Sequence, residues 1–174
     1  MKNRSGFTVV ELIAVIFVIG ILMAVTFVSF NGAQGRSRDA RRSTDIANIV
    51  KALELYYEDN RAYPDPNATA STINSNWYSS GDTSWDTFET QMVNAIDKLP
   101  IDPINSSGNP LNSGNYGYAY FTGSFCGQVS GQWYLLVYRF ETATKERTQD
   151  GACTVNPLGD TYYDDGNSYH RVTR

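Results

Sequence analysis

Histidine is nearly absent from this sequence: 174 residues include one, His170. Cysteine is almost as scarce, with Cys126 and Cys153 alone. A nucleophile, a base and an orienting group must lie within reach of one another for triad chemistry. One histidine in a polar C-terminal stretch does not offer that, and no GxSxG, P-loop or HExxH pattern occurs. These shortages argue against an enzyme, and nothing calls for a cofactor. No internal repeat is visible. The formal charge is −4, and no part is basic enough for a dedicated nucleic-acid module, one arginine cluster aside.

Charge is missing most completely near the N-terminus. From Phe7 to Phe30 the chain carries a single formal charge, Glu11. A helix of about 24 residues reaches roughly 36 Å, and a bilayer core needs about 20 residues. The run is therefore long enough to span a membrane. A carboxylate in a lipid-facing helix costs about 2.5–3.5 kcal/mol, and such residues are usually paired and functional. Ahead of the run stands a short leader, Met1-Lys2-Asn3-Arg4-Ser5-Gly6. A secretory signal places its small-residue cleavage site after the apolar stretch; here the small residues Ser5 and Gly6 precede it. Cutting after Gly6 would free Phe7 and leave the apolar run on the mature chain. That chain would hold 12 basic against 18 acidic side chains, a formal charge of −6. The freed Phe7 amine and the Glu11 carboxylate would be opposite charges available for pairing between neighbouring chains.

Cations, then Gly6-Phe7-Thr8-x-x-Glu11-Leu12, then an apolar helix containing Gly20: this resembles the type IV pilins and type II secretion pseudopilins. The likeness is tight over about residues 1–30 and architectural beyond them. It implies that a membrane peptidase cleaves between Gly6 and Phe7, that the Phe7 amine is methylated, and that Glu11 serves subunit docking. One departure is visible. Many relatives carry proline near position 28, where this chain has Val28; Asn31, Gly32 and Gly35 are candidates for a softer point instead.

Beyond the run, Arg36, Arg38, Arg41 and Arg42 cluster with Asp39 and Asp45. Four arginines just past a span argue for the cytoplasmic side, whereas Lys2 and Arg4 argue the opposite. The resemblance implies leader inside and remainder outside. The cluster is then expected to face acidic surfaces on neighbours, or solvent. Ile46, Ile49, Val50, Leu53, Tyr56 and Tyr57 follow helical spacing, so one helix is expected to run to about Asn60. Tyr63-Pro64 stops it.

Residues 67–84 read as a polar surface loop anchored by Trp77 and Tyr78. Within and after it, Asn67-Ala68-Thr69 and Asn105-Ser106-Ser107 fit the glycosylation triplet, a pattern common by chance. A short helix is predicted over Trp85–Lys98, capped by Ser84 or Asp86, with Trp85, Phe88, Met92, Ala95, Ile96 and Leu99 inward. Strands are predicted over Tyr116–Thr122 and Trp133–Glu141, with a weaker one at Ala152–Val155. Cys126 and Cys153 are expected to form one disulfide, as an exported chain favours and as the family often has near its C-terminus. Free thiols or a metal pair are the alternatives. Asp160, Asp164, Asp165 and Asn167 beside Gly166 suit either a Ca²⁺ loop or an ordinary acidic turn, and no metal site is assigned.

The expected fold is α+β: a long N-terminal helix, its first half membrane-spanning, packed on a small antiparallel sheet. The divisions are leader 1–6, apolar helix 7–30, amphipathic continuation 31–60 and globular head 61–174. The expected role is a structural pilus subunit; alternatives are a pseudopilin or a monomeric membrane-anchored extracellular binding domain. Expected partners are other pilins, a prepilin peptidase, an assembly platform and the membrane. The expected location is the inner membrane before assembly and an extracellular pilus after it. A surface or DNA ligand is possible, and its identity is left open.

Overall fold

The computed structural model describes residues 6, 8–66, 71–124, 129–144, 147–150 and 168–173. The chain opens with α1, Val9–Asn60, one helix of 52 residues. It runs unbroken through Asn31, Gly32 and Gly35, so the softer point expected there is not a break in the helix. Its C-cap is Arg61, in the left-handed region at φ 56°, whose N–H donates to the Tyr57 carbonyl at 2.8 Å. Pro64 then forbids a return to helix.

Five strands and a short helix complete the architecture: β1 Trp77–Ser79, α2 Ser84–Gln91, β2 Ala119–Phe121, β3 Trp133–Tyr138, β4 Arg147–Asp150 and β5 Ser168–Thr173. They form one sheet in the order β1-β2-β3-β5-β4. Pairing is antiparallel from β1 through β5, and β4 joins β5 in parallel. The class is the expected α+β.

The two-residue period of β3 sorts its side chains cleanly. Tyr134, Leu136 and Tyr138 join Ile46, Ile49 and Leu53 of α1 in one core. Trp133, Leu135 and Val137 join Trp77, Ala119 and Leu111 in a second. The sheet is thus buried on both faces, by α1 on one side and by loops on the other. Ile49 and Leu53 are fully buried; truncating either to alanine should cost about 2–5 kcal/mol.

Much of the first core is aromatic. Rings follow one another from Tyr57, tilted against Tyr63, to Tyr134, edge-on to Tyr63, at 4.7 Å per step, and then stack through Tyr120, Phe88 and Tyr78. A buried phenol usually finds a hydrogen-bond partner. Tyr118 donates to Asp45 Oδ2 at 3.0 Å, Tyr120 to the Pro64 carbonyl at 2.7 Å, and Tyr63 to Glu54 Oε1 at 3.0 Å.

Several local expectations shift. The helix expected over Trp85–Lys98 ends at Gln91. The Met92 N–H is shared between the carbonyls of Phe88 and Glu89, and the Glu89 carboxylate accepts the Leu99 N–H at 2.9 Å, which turns the chain back. The expected inward residues still pack in the core. The N-cap is Thr83; the Ser84 hydroxyl instead accepts the Ser79 N–H. Both central strands are shorter than predicted, and β1 lies inside the predicted polar loop. The strand expected at 152–155 lies outside the described residues, while β4 and β5 were not anticipated. Between β2 and β3, Gly131 takes φ 83° and brings its carbonyl to the Tyr63 N–H at 2.7 Å.

Candidate functional site

Two regions of α1 carry function-bearing groups. The first is its start. Thr8 is the N-cap, with extended backbone. Its N–H and hydroxyl both donate to Glu11 Oε2 at 2.8 Å, and the Glu11 N–H donates to Thr8 Oγ1 at 3.3 Å. This is a reciprocal capping box. The acid singled out for docking is therefore held by its own helix, one turn from the end. Gly6 has open space around it, with nothing within 4 Å of where a Cβ would stand. Phe7, Cys126, Cys153 and the acidic stretch Asp160–Asn167 lie outside the described residues.

From Val9 to Met23 the large apolar side chains stand bare, between 45% and 75% exposed. Ile13, Ile16, Phe17, Gly20, Ile21 and Ala24 line a shallow groove where Gly20 leaves a gap. Among the described residues no helix is long and apolar enough to cross a membrane; side chains of this run are described from Thr8 to Ala24.

The second region joins helix to head. Gly35, Arg38, Asp39 and Arg42 share one face of α1 by their spacing of three and four. Gly35 is the first buried residue of the helix among those described. A Cβ added there would stand 2.8 Å from Thr142 Cγ2. Asp39 accepts the N–H groups of Glu141, Thr142 and Ala143 at 2.8, 2.8 and 3.0 Å, and the Thr142 hydroxyl at 2.8 Å. Burial alone would raise its carboxyl, but those donors outweigh burial and hold it well below the usual carboxylate range. The Arg38 guanidinium pairs with Glu141 and pulls that carboxyl down, burial opposing and Arg42 assisting.

Arg42 is the hub. Its side chain is wholly buried. It donates to both Asp102 oxygens, at 2.6 and 3.0 Å, to Asp39 Oδ1 at 2.9 Å and to Glu141 Oε1 at 2.6 Å. Its guanidinium carbon lies 4.7 Å from the Tyr116 ring centroid. Burial disfavours its charge, yet the carboxylates of Asp102, Glu141 and Asp39 more than offset that and raise its pKa. Asp102 also accepts the N–H groups of Ile104 and Asn105, which ties the 102–105 loop to the same hub. Beside it, Asp45 sits 3.7 Å from Arg41; burial is the main influence and raises its carboxyl.

This corrects the expectation for the arginine cluster. Arg38 and Arg42 turn onto their own head rather than toward neighbours or solvent, while Arg36 and Arg41 remain exposed. Three arginines, Arg38, Arg41 and Arg42, pair with four carboxylates, Asp39, Asp45, Asp102 and Glu141. Among the described residues, no group of three or more His, Cys, Asp or Glu could hold a metal ion. Asp102 and Glu141 were not singled out from sequence; each is one carboxylate among 18 acidic residues, and only Gly35, Arg38, Asp39 and Arg42 share a helical spacing.

Residues 1–27 match the prokaryotic N-terminal methylation motif. The chain is 38% identical over 63 residues to the type IV wide pilus major component PilA4 of Thermus thermophilus, covering 36% of this chain and 48% of that protein. It is 31% identical over 64 residues to type II secretion system core protein G of Vibrio cholerae, covering 37% and 44% respectively. Core protein G of Pseudomonas aeruginosa is 28% identical over 118 residues, 63% of this chain and 72% of that protein. The chain spans about half the length of the first two relatives. No solved structure matches. The fold, a long N-terminal helix on a small sheet, is pilin-like. Its homologues are type IV pilins and type II secretion core proteins G.

Proposed function

We propose that this chain is a structural subunit of a type IV pilus. The carrying observation is the bare rod at its start. Twelve large apolar side chains between Val9 and Met23 stand between 45% and 75% exposed, and burying what remains bare would gain about 10–20 kcal/mol relative to water. A folded domain is stable by only about 5–15 kcal/mol, so a rod of this kind needs a partner. Two are in order: first the inner membrane, spanned by 7–30, and then the same rods of other copies. The leader 1–6 is removed between Gly6 and Phe7 by a prepilin peptidase, and the Phe7 amine is methylated. An assembly platform then moves the chain into a fibre outside the cell. There Glu11 exchanges its Thr8 donors for the amine of a neighbouring copy and so sets axial register. Cys126 and Cys153 pair as a disulfide in the head. The role is structural, not enzymatic.

Glu11→Val tests this. The variant should still insert into the membrane and yield few or no fibres by electron microscopy. A normal fibre yield would remove the docking role. Gly6→Leu should leave full-length precursor by mass spectrometry, and an unchanged mature mass would exclude cleavage there.

A second reading is a pseudopilin of a secretion system. The alignment to the Pseudomonas core protein G extends over 118 residues, whereas that to PilA4 covers 63. Deleting the gene discriminates: loss of surface fibres supports the pilus, and loss of protein secretion with fibres unaffected supports the pseudopilus.

A further inference from the structure

The joint between α1 and the head has a mechanical geometry. The helix connects covalently to the head at its far end, Asn60–Arg61. Gly35, Arg38, Asp39 and Arg42 sit at the other end of the helix–head contact, nearest the bare rod. At about 1.5 Å per residue, Gly35 and Asn60 are roughly 38 Å apart along the axis. Between them the contact is largely the apolar stripe of Ile46, Ile49, Ala52 and Leu53. Apolar packing is non-directional and resists axial sliding weakly. Ionic hydrogen bonds are directional and roughly twice as strong as neutral ones. Here the bonds of Arg38 and Arg42 to Glu141 and Asp102, and of Asp39 to the 141–143 backbone, cross from helix to head, and they hold two separate loops, 102–105 and 141–143.

We infer that this cluster is a shear clamp: it carries axial load between the apolar rod and the head, so that tension on the rod reaches the head at Asp39 and Arg42. The inference deepens the filament reading and rests on it for the source of the load. Load applied at the rod meets the joint before it meets the apolar stripe. Asp39 grips the backbone of three consecutive residues, so tension is spread over several bonds loaded in parallel. Gly35 lets Thr142 seat against the helix, and the Thr142 hydroxyl is bonded to Asp39. The turn therefore cannot slide along α1 without breaking those bonds together.

Single-molecule pulling of the full chain in detergent micelles tests this in two geometries. In the first, handles at the N-terminus and at the exposed residue Val93 load the joint. In the second, handles at Leu55 and Val93 bypass it. The wild-type chain should show a high-force rupture in the first geometry alone. The variant Arg38→Gln with Asp39→Ala, which removes the grip on the 141–143 backbone, should lose that rupture and keep its behaviour in the second. If that pair fails to fold, Gly35→Ser, which wedges the turn outward, replaces it with the same expected outcome. Equal loss in both geometries would show ordinary destabilisation and overturn the clamp, as would an unchanged rupture in the first. None of these readings depends on fibre formation, so failure of the clamp and failure of the filament reading are separable.

Discussion

Arg42 and Asp102, 60 residues apart in the chain, meet as a two-pronged ion pair with both side chains wholly buried. Nε to Oδ2 is 2.6 Å and Nη2 to Oδ1 is 3.0 Å. A buried pair of this kind adds little net stability against an apolar replacement, but breaking one partner is severe. Three carboxylates converge on this one guanidinium, and its removal leaves buried Asp102 with no cation and only backbone donors.

Arg42→Ala should therefore destabilise the chain by about 3–5 kcal/mol. Arg42→Lys should cost less but still measurably, because an ammonium lacks the planar fork that reaches both Asp102 oxygens. Thermal melting of the detergent-solubilised chain followed by circular dichroism measures both. A loss below about 0.5 kcal/mol for Arg42→Ala would mean the surface-bridge regime applies, and the hub would not be structural.

Acid should loosen the joint only at low pH. Asp39 and Glu141 both titrate below their ordinary values. Their contribution is complete above the unfolded-state values and is lost as pH falls through the lower folded ones. Asp45 is raised by burial and has the opposite sign: its ionised form is the penalised one, so protonating it slightly favours the fold. The melting temperature should hold or rise slightly from pH 7 to about 5 and fall below about pH 4. Asp39→Asn should flatten that fall; an unaltered acid limb would assign it to other groups.

Glycines in the helix should respond in opposite ways. Glycine in a helix costs about 1 kcal/mol relative to alanine. At Gly32 the nearest atom to an added Cβ is an Arg36 nitrogen at 3.5 Å, so Gly32→Ala should stabilise. At Gly35 the added Cβ meets Thr142 Cγ2 at 2.8 Å, and Thr142 cannot swing away without losing Asp39. Overpacking costs about 1–3 kcal/mol, so Gly35→Ala should destabilise. Melting curves of the two variants, compared side by side, decide it.

Asn105 fits a glycosylation triplet but is closed to it. Its side-chain nitrogen donates to the Ser80 carbonyl at 2.8 Å, and its oxygen accepts from Ser80 Oγ at 2.7 Å. Its φ of 46° is a left-handed value that asparagine tolerates and alanine resists. Peptide mass spectrometry should find Asn105 unmodified in the native protein, and Asn105→Ala should lose about 1–3 kcal/mol. A glycan found at Asn105 would show that modification precedes folding.

The amino-acid pattern by itself determined the rod, the single acid near its start and the amphipathic stripe from Ile46 to Tyr57. Helical periodicity and capping act within a few residues, so they are legible without a fold. β1 and β5 escaped that reading. Trp77–Ser79 is three residues in a polar stretch, and Ser168–Thr173 becomes a strand because β3 offers a six-residue edge to pair with. The direction of the arginines was decided only by tertiary structure. Asp102 and Glu141 come within reach of Arg42 when the sheet closes on the helix, and a bond across 60 or 99 positions leaves no periodic trace in the chain.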